Sequence, residues 1–202
     1  MNLSIKYAAM LTLKNPTSFE ETIKKSRFIA HAACVTSQAE SLDFFESVID
    51  PQATHNCWAW RINFQIRSSD DGEPSGTAGR PILSVIEGRK LENVMVVVTR
   101  HFGGIKLGVG GLVRAYSGTA AKCLDKAGVI ELFPMAEYVI RAGFEWASSV
   151  HGLLDQFSAE KLDEAYDDEG LILKIRCRES DHGRLAIALR DTSRGQVQLQ
   201  KV

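Results

Sequence analysis

Apolar and polar positions along this chain change period several times, and each change marks an element. Residues 19–35, FEETIKKSRFIAHAACV, read as extended chain, β-rich in their second half. In SQAESLDFFESVID, Leu42, Phe45 and Ile49 recur at helical spacing. Ser37 and Glu40 form a capping box in front and Pro51 follows the end, so a helix is predicted. HNCWAWRINFQI, residues 55–66, sets Cys57, Ala59 and Arg61 against Trp58, Trp60 and Ile62, the period of a strand. Residues 67–81, RSSDDGEPSGTAGRP, hold almost nothing apolar and predict a long loop, a feature that in compact domains is functional or mobile. PILSVIEGRKL predicts a short helix. NVMVVVTRHF is a nearly continuous apolar run and predicts a central strand covered on both faces. From Gly111 to Ala127 a helix is predicted. Leu112, Ala115, Thr119, Cys123 and Ala127 form one face, and Gly128 closes the end.

Pro134 marks a boundary, giving domains 1–133 and 134–202. Past it, EYVIRAGFEW reads as a strand, SSVHGLLDQF as a helix and KLDEAY as a strand. LILKIRCR alternates as a strand, SDHGRLAIALRD is a helix capped by Ser180, and GQVQLQKV is a last strand. That βαββαβ order is the ferredoxin-like arrangement, so the fold class is α+β.

Composition adds few restrictions. A length of 202 residues, 45% hydrophobic and 24% charged, is that of an ordinary globular protein, and a net charge of −1 gives no overall pull toward nucleic acid. The charge is uneven, however. Arg100, Lys106, Arg114, Lys122 and Lys126 face only Asp125 between residues 99 and 126, and such local zones bind anions. The four cysteines are scattered without a CxxC pair. MNLSIKYAAMLTLKNP is too short and too lysine-rich an apolar run for a secretion leader, and no stretch reaches the roughly 18 apolar residues of a membrane span. The expectation is a cytoplasmic protein with reduced thiols.

The candidate chemistry centres on TRHFGGIKLGVGGLVRAYSG, residues 99–118, which holds six of the sixteen glycines, three basic residues and no acid. It fits neither common nucleotide fingerprint: Val113 stands where GxGxxG needs glycine, and Val109 where GxxxxGK[ST] needs lysine. The physical logic of an anion site is nonetheless present, a strand feeding a flexible loop that opens a helix. The alternative is a tight connection. Asp70, Asp71 and Glu73 have the density of a Mg²⁺ site but not an EF-hand spacing, and they read more readily as a solvated turn. His31 and Cys34 with His55 and Cys57 would form a zinc site only by meeting across two strands whose inward faces the core needs; no metal is expected. No Ser-His-Asp set is identifiable. Cys34 and Cys123 lie on apolar faces and read as packing residues, and Trp58 and Trp60 as core rather than as a base-stacking platform. KKSRF, residues 24–28, is a small basic cluster.

DDGEPSGTAGRPIL at 70–83 and VVVTRHFGGIKLGVGGLVRAYSG at 96–118 resemble the two signature segments of the Impact family in its bacterial, YigZ-like form. KSRF at 25–28 and HNCWAWR at 55–61 are similar too. His101 stands where the family usually has tyrosine. The resemblance implies an N-terminal domain like domain two of small-subunit ribosomal protein five, with a left-handed βαβ crossover, and a C-terminal ferredoxin-like domain. It implies a translation-linked regulatory or binding protein, since eukaryotic relatives restrain the kinase that senses amino-acid starvation. RNA, the ribosome or a protein of translation control are the implied partners; no cofactor and no membrane are implied. The anion-binding set expected from loop and resemblance together is Lys25, Arg27, Arg100, His101, Gly103, Gly104, Lys106, Gly108, Gly110, Gly111 and Arg114. The first signature loop comprises Asp70, Asp71, Gly72, Glu73, Pro74, Ser75, Gly76, Thr77 and Gly79. Binding is expected rather than catalysis. The alternative is a nucleotide- or phosphate-binding enzyme, of the kind found among small-molecule kinases that share the first fold, with the acidic loop holding a metal.

Overall fold

The structure is a computed structural model and describes residues 10–202; residues 1–9 of the N-terminal stretch considered above lie outside the described residues. Two compact units make up the described chain, Met10–Leu132 and Phe133–Val202.

The first unit opens with β1 (Met10–Leu13), β2 (Thr17–Ile23) and β3 (Ser26–Cys34). Lys24 and Lys25 both take left-handed φ, 45° and 66°, which closes β2 and β3 into a tight hairpin. Helix α1 (Gln38–Val48) follows. Its Ser37 cap accepts from the Glu40 amide at 3.1 Å, while the Glu40 carboxylate reaches back to the Thr36 amide at 2.8 Å. Next come β4 (His55–Ile62), β5 (Gln65–Ser69), α2 (Gly79–Gly88), β6 (Val94–His101), α3 (Val109–Ala127) and β7 (Val129–Leu132). β1 pairs with β7. The other five strands form an antiparallel sheet in the order β2-β3-β6-β4-β5.

The apolar run read as a central strand is the middle strand, β6, and period two explains its burial. Val94, Val96 and Val98 join Phe28, Ala30, Cys57 and Ala59 under α2 and α3. Met95 and Val97 join Trp60 and Ile62 under Phe44, Phe45 and Val48 of α1. Trp58 and Trp60 thus lie in this second core, not on an open face. The topology also fixes a hand. β3 and β4 are parallel, each being antiparallel to β6, and so are β5 and β6, each antiparallel to β4. The crossover through α1 runs over one face and that through α2 over the other. Rotating the sheet in its plane superimposes the two crossovers except for the face their helices cover, so their hands are opposite and one is left-handed, against the strong general preference. This is the crossover that the family resemblance implies.

The second unit runs β8 (Met135–Ala142), α4 (Ala147–Gln156), β9 (Glu160–Asp167), β10 (Gly170–Arg178), α5 (His182–Ser193) and β11 (Gln198–Lys201). Its antiparallel sheet has the order β11-β8-β10-β9, the ferredoxin-like βαββαβ. Tyr138, Ile140, Leu171, Leu173 and Ile175 pack beneath Val150 and Leu154 of α4 and Leu185 and Leu189 of α5.

Several local expectations change. Residues 55–66 form not one strand but a hairpin, turned by Asn63 and Phe64 at φ 48° and 64°. A phenylalanine in that conformation is rare, so the usual Asn-Gly turn signal is missing. The loop read over 67–81 shrinks to 70–78, because β5 and α2 claim its ends. Helix α3 starts at Val109, not Gly111. The residue before α5 is Asp181, not Ser180, and no side chain caps that helix. Cys34 is exposed: it is the last residue of β3, where the face is no longer covered, and its sulfur accepts from the Thr12 hydroxyl at 3.4 Å.

Two glycines separate the demands on the Gly-rich segment. A Cβ on Gly103 would lie 1.9 Å from the Lys25 carbonyl oxygen, whereas one on Gly118, within α3, would meet open space. Gly103→Ala is expected to lower stability by about 1–3 kcal/mol through overpacking. Gly118→Ala is expected to raise it by roughly 0.5–1 kcal/mol through helix propensity. Urea midpoints of the two variants moving in opposite directions would bear this out; Gly103→Ala matching the parent would contradict it.

Candidate functional site

Glu73 is the residue on which the candidate site is built. It sits in the loop between β5 and α2, and its side chain is 3% exposed. One carboxylate oxygen accepts from Arg100 Nη1 at 2.6 Å and from the Tyr116 hydroxyl at 2.7 Å. Arg100 lies near the end of β6, in phase with Val94, Val96 and Val98, so its side chain enters the layer under the helices. Tyr116 lies on the buried stripe of α3 and packs edge-on against Phe28, centroids 5.3 Å apart. Arg100 Nη2 also donates to Ser26 Oγ at 3.3 Å, which in turn accepts from the Gly103 amide at 3.3 Å. The guanidinium is flanked by the rings of Phe28 and Phe102, at 5.5 and 5.3 Å.

The rest of the first loop is organised by Asp70. Burial opposes its ionisation, but the amides of Gly76, Gly79 and Ala78 donate to its carboxylate, and the net effect holds the carboxyl below its ordinary range. It thereby supplies the start of α2 with the cap that Ala78 cannot provide. Asp71 accepts from the Asn56 amide at 2.6 Å. The three acidic side chains of this loop therefore serve three different partners and do not converge on a metal. His31, Cys34, His55 and Cys57 do not meet either, since β6 separates the strands that carry them; among the described residues no group of three metal-capable side chains forms. Burial pushes the Cys57 thiol up to about 12, and its sulfur donates to the Asp70 carbonyl at 3.0 Å, so it is a packing group and not a nucleophile.

Above this network an open cleft of about 460 Å³ is lined by Thr54, His55, Glu73, Pro74, Arg100, Phe102, Lys106, Leu107, Gly108, Val109 and Leu112. His55 Nδ1 lies 2.6 Å from the Asp71 carbonyl oxygen and Nε2 lies 3.8 Å from Glu73, so the backbone contact leaves Nε2 on the Glu73 side. Helix α3 opens at the cleft. Gly108 precedes it at φ 73°, a conformation that favours glycine, and no side chain caps the first amides of the helix.

The expected anion-binding residues separate into three groups. Arg27 and His101 are cross-strand partners and share a sheet face opposite that of Arg100, because side chains alternate. Arg27 pairs with Glu20 at 2.6 Å, and His101 Nε2 lies 3.4 Å from Asp50. Arg100 is paired with Glu73 and buried, 5% exposed. Lys25, Lys106 and Arg114 are exposed, and among the described residues none makes an ion pair. Gly103 and Gly104 carry the turn, Gly103 pressed against Lys25. Gly110 and Gly111 lie in the first turn of α3, over which the Arg114 guanidinium reaches back, 3.5 Å from where a Gly110 side chain would start. In the other loop Gly72 packs near the His55 ring, Pro74 accepts from the Thr77 hydroxyl and amide, Ser75 and Gly76 are exposed, and Gly79 starts α2 against the Ser69 backbone. The residues that sequence reasoning missed are Ser26 and Tyr116, while His55 was weighed only as a zinc ligand. Tyr116 was legible: it follows Leu112 by one helical turn, on the face already read as buried.

The two segments read as signatures and the two similar ones thus meet around the Glu73–Arg100 pair, and residues 24–124 match the Impact N-terminal domain family. A Thermus thermophilus protein described as "IMPACT family member in pol 5'region" is 45% identical over 87% of this chain and 97% of its own length. The chain belongs to the Impact family. The Escherichia coli Impact family member YigZ is 34% identical over 91% of this chain and 93% of its own length. A solved structure described only as a hypothetical protein superimposes with a TM-score of 0.69 at 33% identity, covering 96% of this chain and 97% of that one. The Impact signature segments are, physically, the two halves of a buried ion pair with the strand and turn that enclose it.

Breaking that pair leaves a buried charge uncompensated. Glu73→Gln is expected to cost about 3–5 kcal/mol, and the double variant Glu73→Gln, Arg100→Met to recover most of the loss. Additive losses in urea unfolding would contradict a direct pair. Asp70 sets an acid limb. Its folded-state carboxyl is below the unfolded value of 3.8, so its contribution is full above that pH and is lost as pH falls through the lower folded value. Asp70→Asn is expected to flatten stability against pH in that window; an unchanged acid limb would show that Asp70 is not its source.

Proposed function

We propose that this Impact-family chain is a cytoplasmic, translation-linked binding protein that contacts RNA at the cleft opened by α3. The observation that carries the reading is the separation of charges in the second signature. Arg100 is consumed internally, while Lys106 and Arg114 stand exposed and unpaired beside the free amides at the start of α3. Such an arrangement favours phosphate, which gains both from the helix terminus and from flanking cations. Lys25 lies on the turn whose backbone touches Gly103 and is likewise exposed.

The family adds the cellular setting, since the eukaryotic relatives known from the resemblance act in translation control. Four free cysteines fit a reducing compartment. No helix among the described residues is long and apolar enough to cross a membrane. The reading as a metal-dependent enzyme loses support, because Asp70, Asp71 and Glu73 diverge and each is already engaged.

Phosphate contacts make affinity fall steeply with salt. Lys106→Ala with Arg114→Ala is expected to weaken RNA binding at low salt by about tenfold or more, and to reduce the slope of log affinity against log salt by roughly two contacts' worth. Fluorescence anisotropy with a labelled single-stranded RNA reads both. Unchanged affinity in that variant would remove the cleft rim from the account, and capture of protein partners from lysate that resists ribonuclease would move the reading to a protein partner.

A further inference from the structure

Phosphate alone does not explain the cleft's composition. Beside Lys106, Thr54, His55, Gly108 and the Glu73–Arg100 pair, its walls are Pro74, Phe102, Leu107, Val109 and Leu112. Phe102 is 45% exposed and Val109 64%, large apolar groups that a helix N-terminus and a surface lysine do not require. Phe102 is also held in place. Its amide donates to the Thr54 hydroxyl at 3.0 Å, and the Arg100 guanidinium, itself fixed by Glu73, lies 5.3 Å from the ring centroid. The ring is thus anchored at its backbone and backed by a fixed cation, while nearly half its surface stays open.

We infer that the cleft receives one unpaired nucleotide of a single-stranded RNA, its base stacked on Phe102 and its phosphate beside Lys106 at the start of α3. This deepens the RNA-binding reading and rests on it. The cleft's volume of about 460 Å³ falls within the range of small-ligand sites, roughly 300–1,000 Å³. A base has two apolar faces next to a charged backbone, which matches an apolar wall next to a cationic rim. Base-paired RNA keeps its bases stacked on one another, and a groove-facing surface would need no open ring in a concavity. Arg100 has a further part here: the attraction between its guanidinium and the Phe102 ring helps hold the ring in place as a platform.

The experiment compares hexa-adenylate with a self-complementary RNA duplex of equal phosphate count, by anisotropy at low salt, for the parent chain and the variants Phe102→Ala and Phe102→Trp. The inference predicts preference for hexa-adenylate. Phe102→Ala is expected to weaken its binding by roughly 5- to 150-fold, the range for loss of one stacked base. Phe102→Trp should retain binding, and duplex affinity should hardly change in either. Equal or tighter binding of the duplex, or Phe102→Ala within twofold of the parent on hexa-adenylate, overturns the stacking inference and leaves the phosphate reading standing. No binding of either RNA by the parent chain overturns both. Phe102 is half-exposed, so unchanged melting of the variants separates lost stacking from lost fold.

Discussion

The buried pair between Arg100 and Glu73 is the interaction on which the first unit's functional end depends. A buried cation at the end of a strand needs a counter-charge, and here a loop folded back over the sheet supplies it. Glu73 arrives by that route, and Asp70 shapes the loop that brings it by capping α2. Tyr116 and Ser26 then satisfy neighbouring polar positions of the pair from α3 and from the β2–β3 hairpin. Four segments far apart in sequence are bound to one geometry. Removing one partner leaves a desolvated charge, which is far more costly than never having buried it.

That internal use of charge decides what is left for ligands. Arg100 is paired with Glu73 and lies over the Phe102 ring. Lys25, Lys106 and Arg114 keep their charge at the surface, the last two beside the start of the helix that follows Gly108. The cleft is lined by the mutually neutralising Glu73 and Arg100, by Lys106 as its unpaired cation, and by a mostly apolar wall that also carries Thr54 and His55. The ligand proposed for it matches this lining: a negative charge attached to a flat apolar group.

Much of this was legible in the sequence. The βαββαβ order of the second unit follows from alternation and spacing, and the central position of β6 from its unbroken apolar run. The paired signatures were visible as two loops of unusual composition. What was not legible was their mutual use. Asp70, Asp71 and Glu73 looked like a cluster because they are adjacent in sequence, yet in a turn neighbouring side chains diverge. Arg100 and His101 looked like two members of a basic patch, but strand alternation sends them to opposite faces. The hairpin at Asn63–Phe64 carries no Asn-Gly signal because a bulky residue occupies its left-handed position. Adjacency along the chain does not fix adjacency in space, because turns splay neighbouring side chains and strands alternate them. A period-two reading of Val94, Val96, Val98 and Arg100 would have buried the arginine and required a carboxylate for it.

The most direct test of the central claim, that the buried pair presents this cleft to an unpaired nucleotide, is an amide chemical-shift map of the labelled chain titrated with hexa-adenylate. The account predicts saturable shifts concentrated at His55, Phe102 and residues 106–112, with the α1 face unaffected. Shifts confined to the α1 face or to residues 133–202, with none around Phe102 and the start of α3, would contradict it.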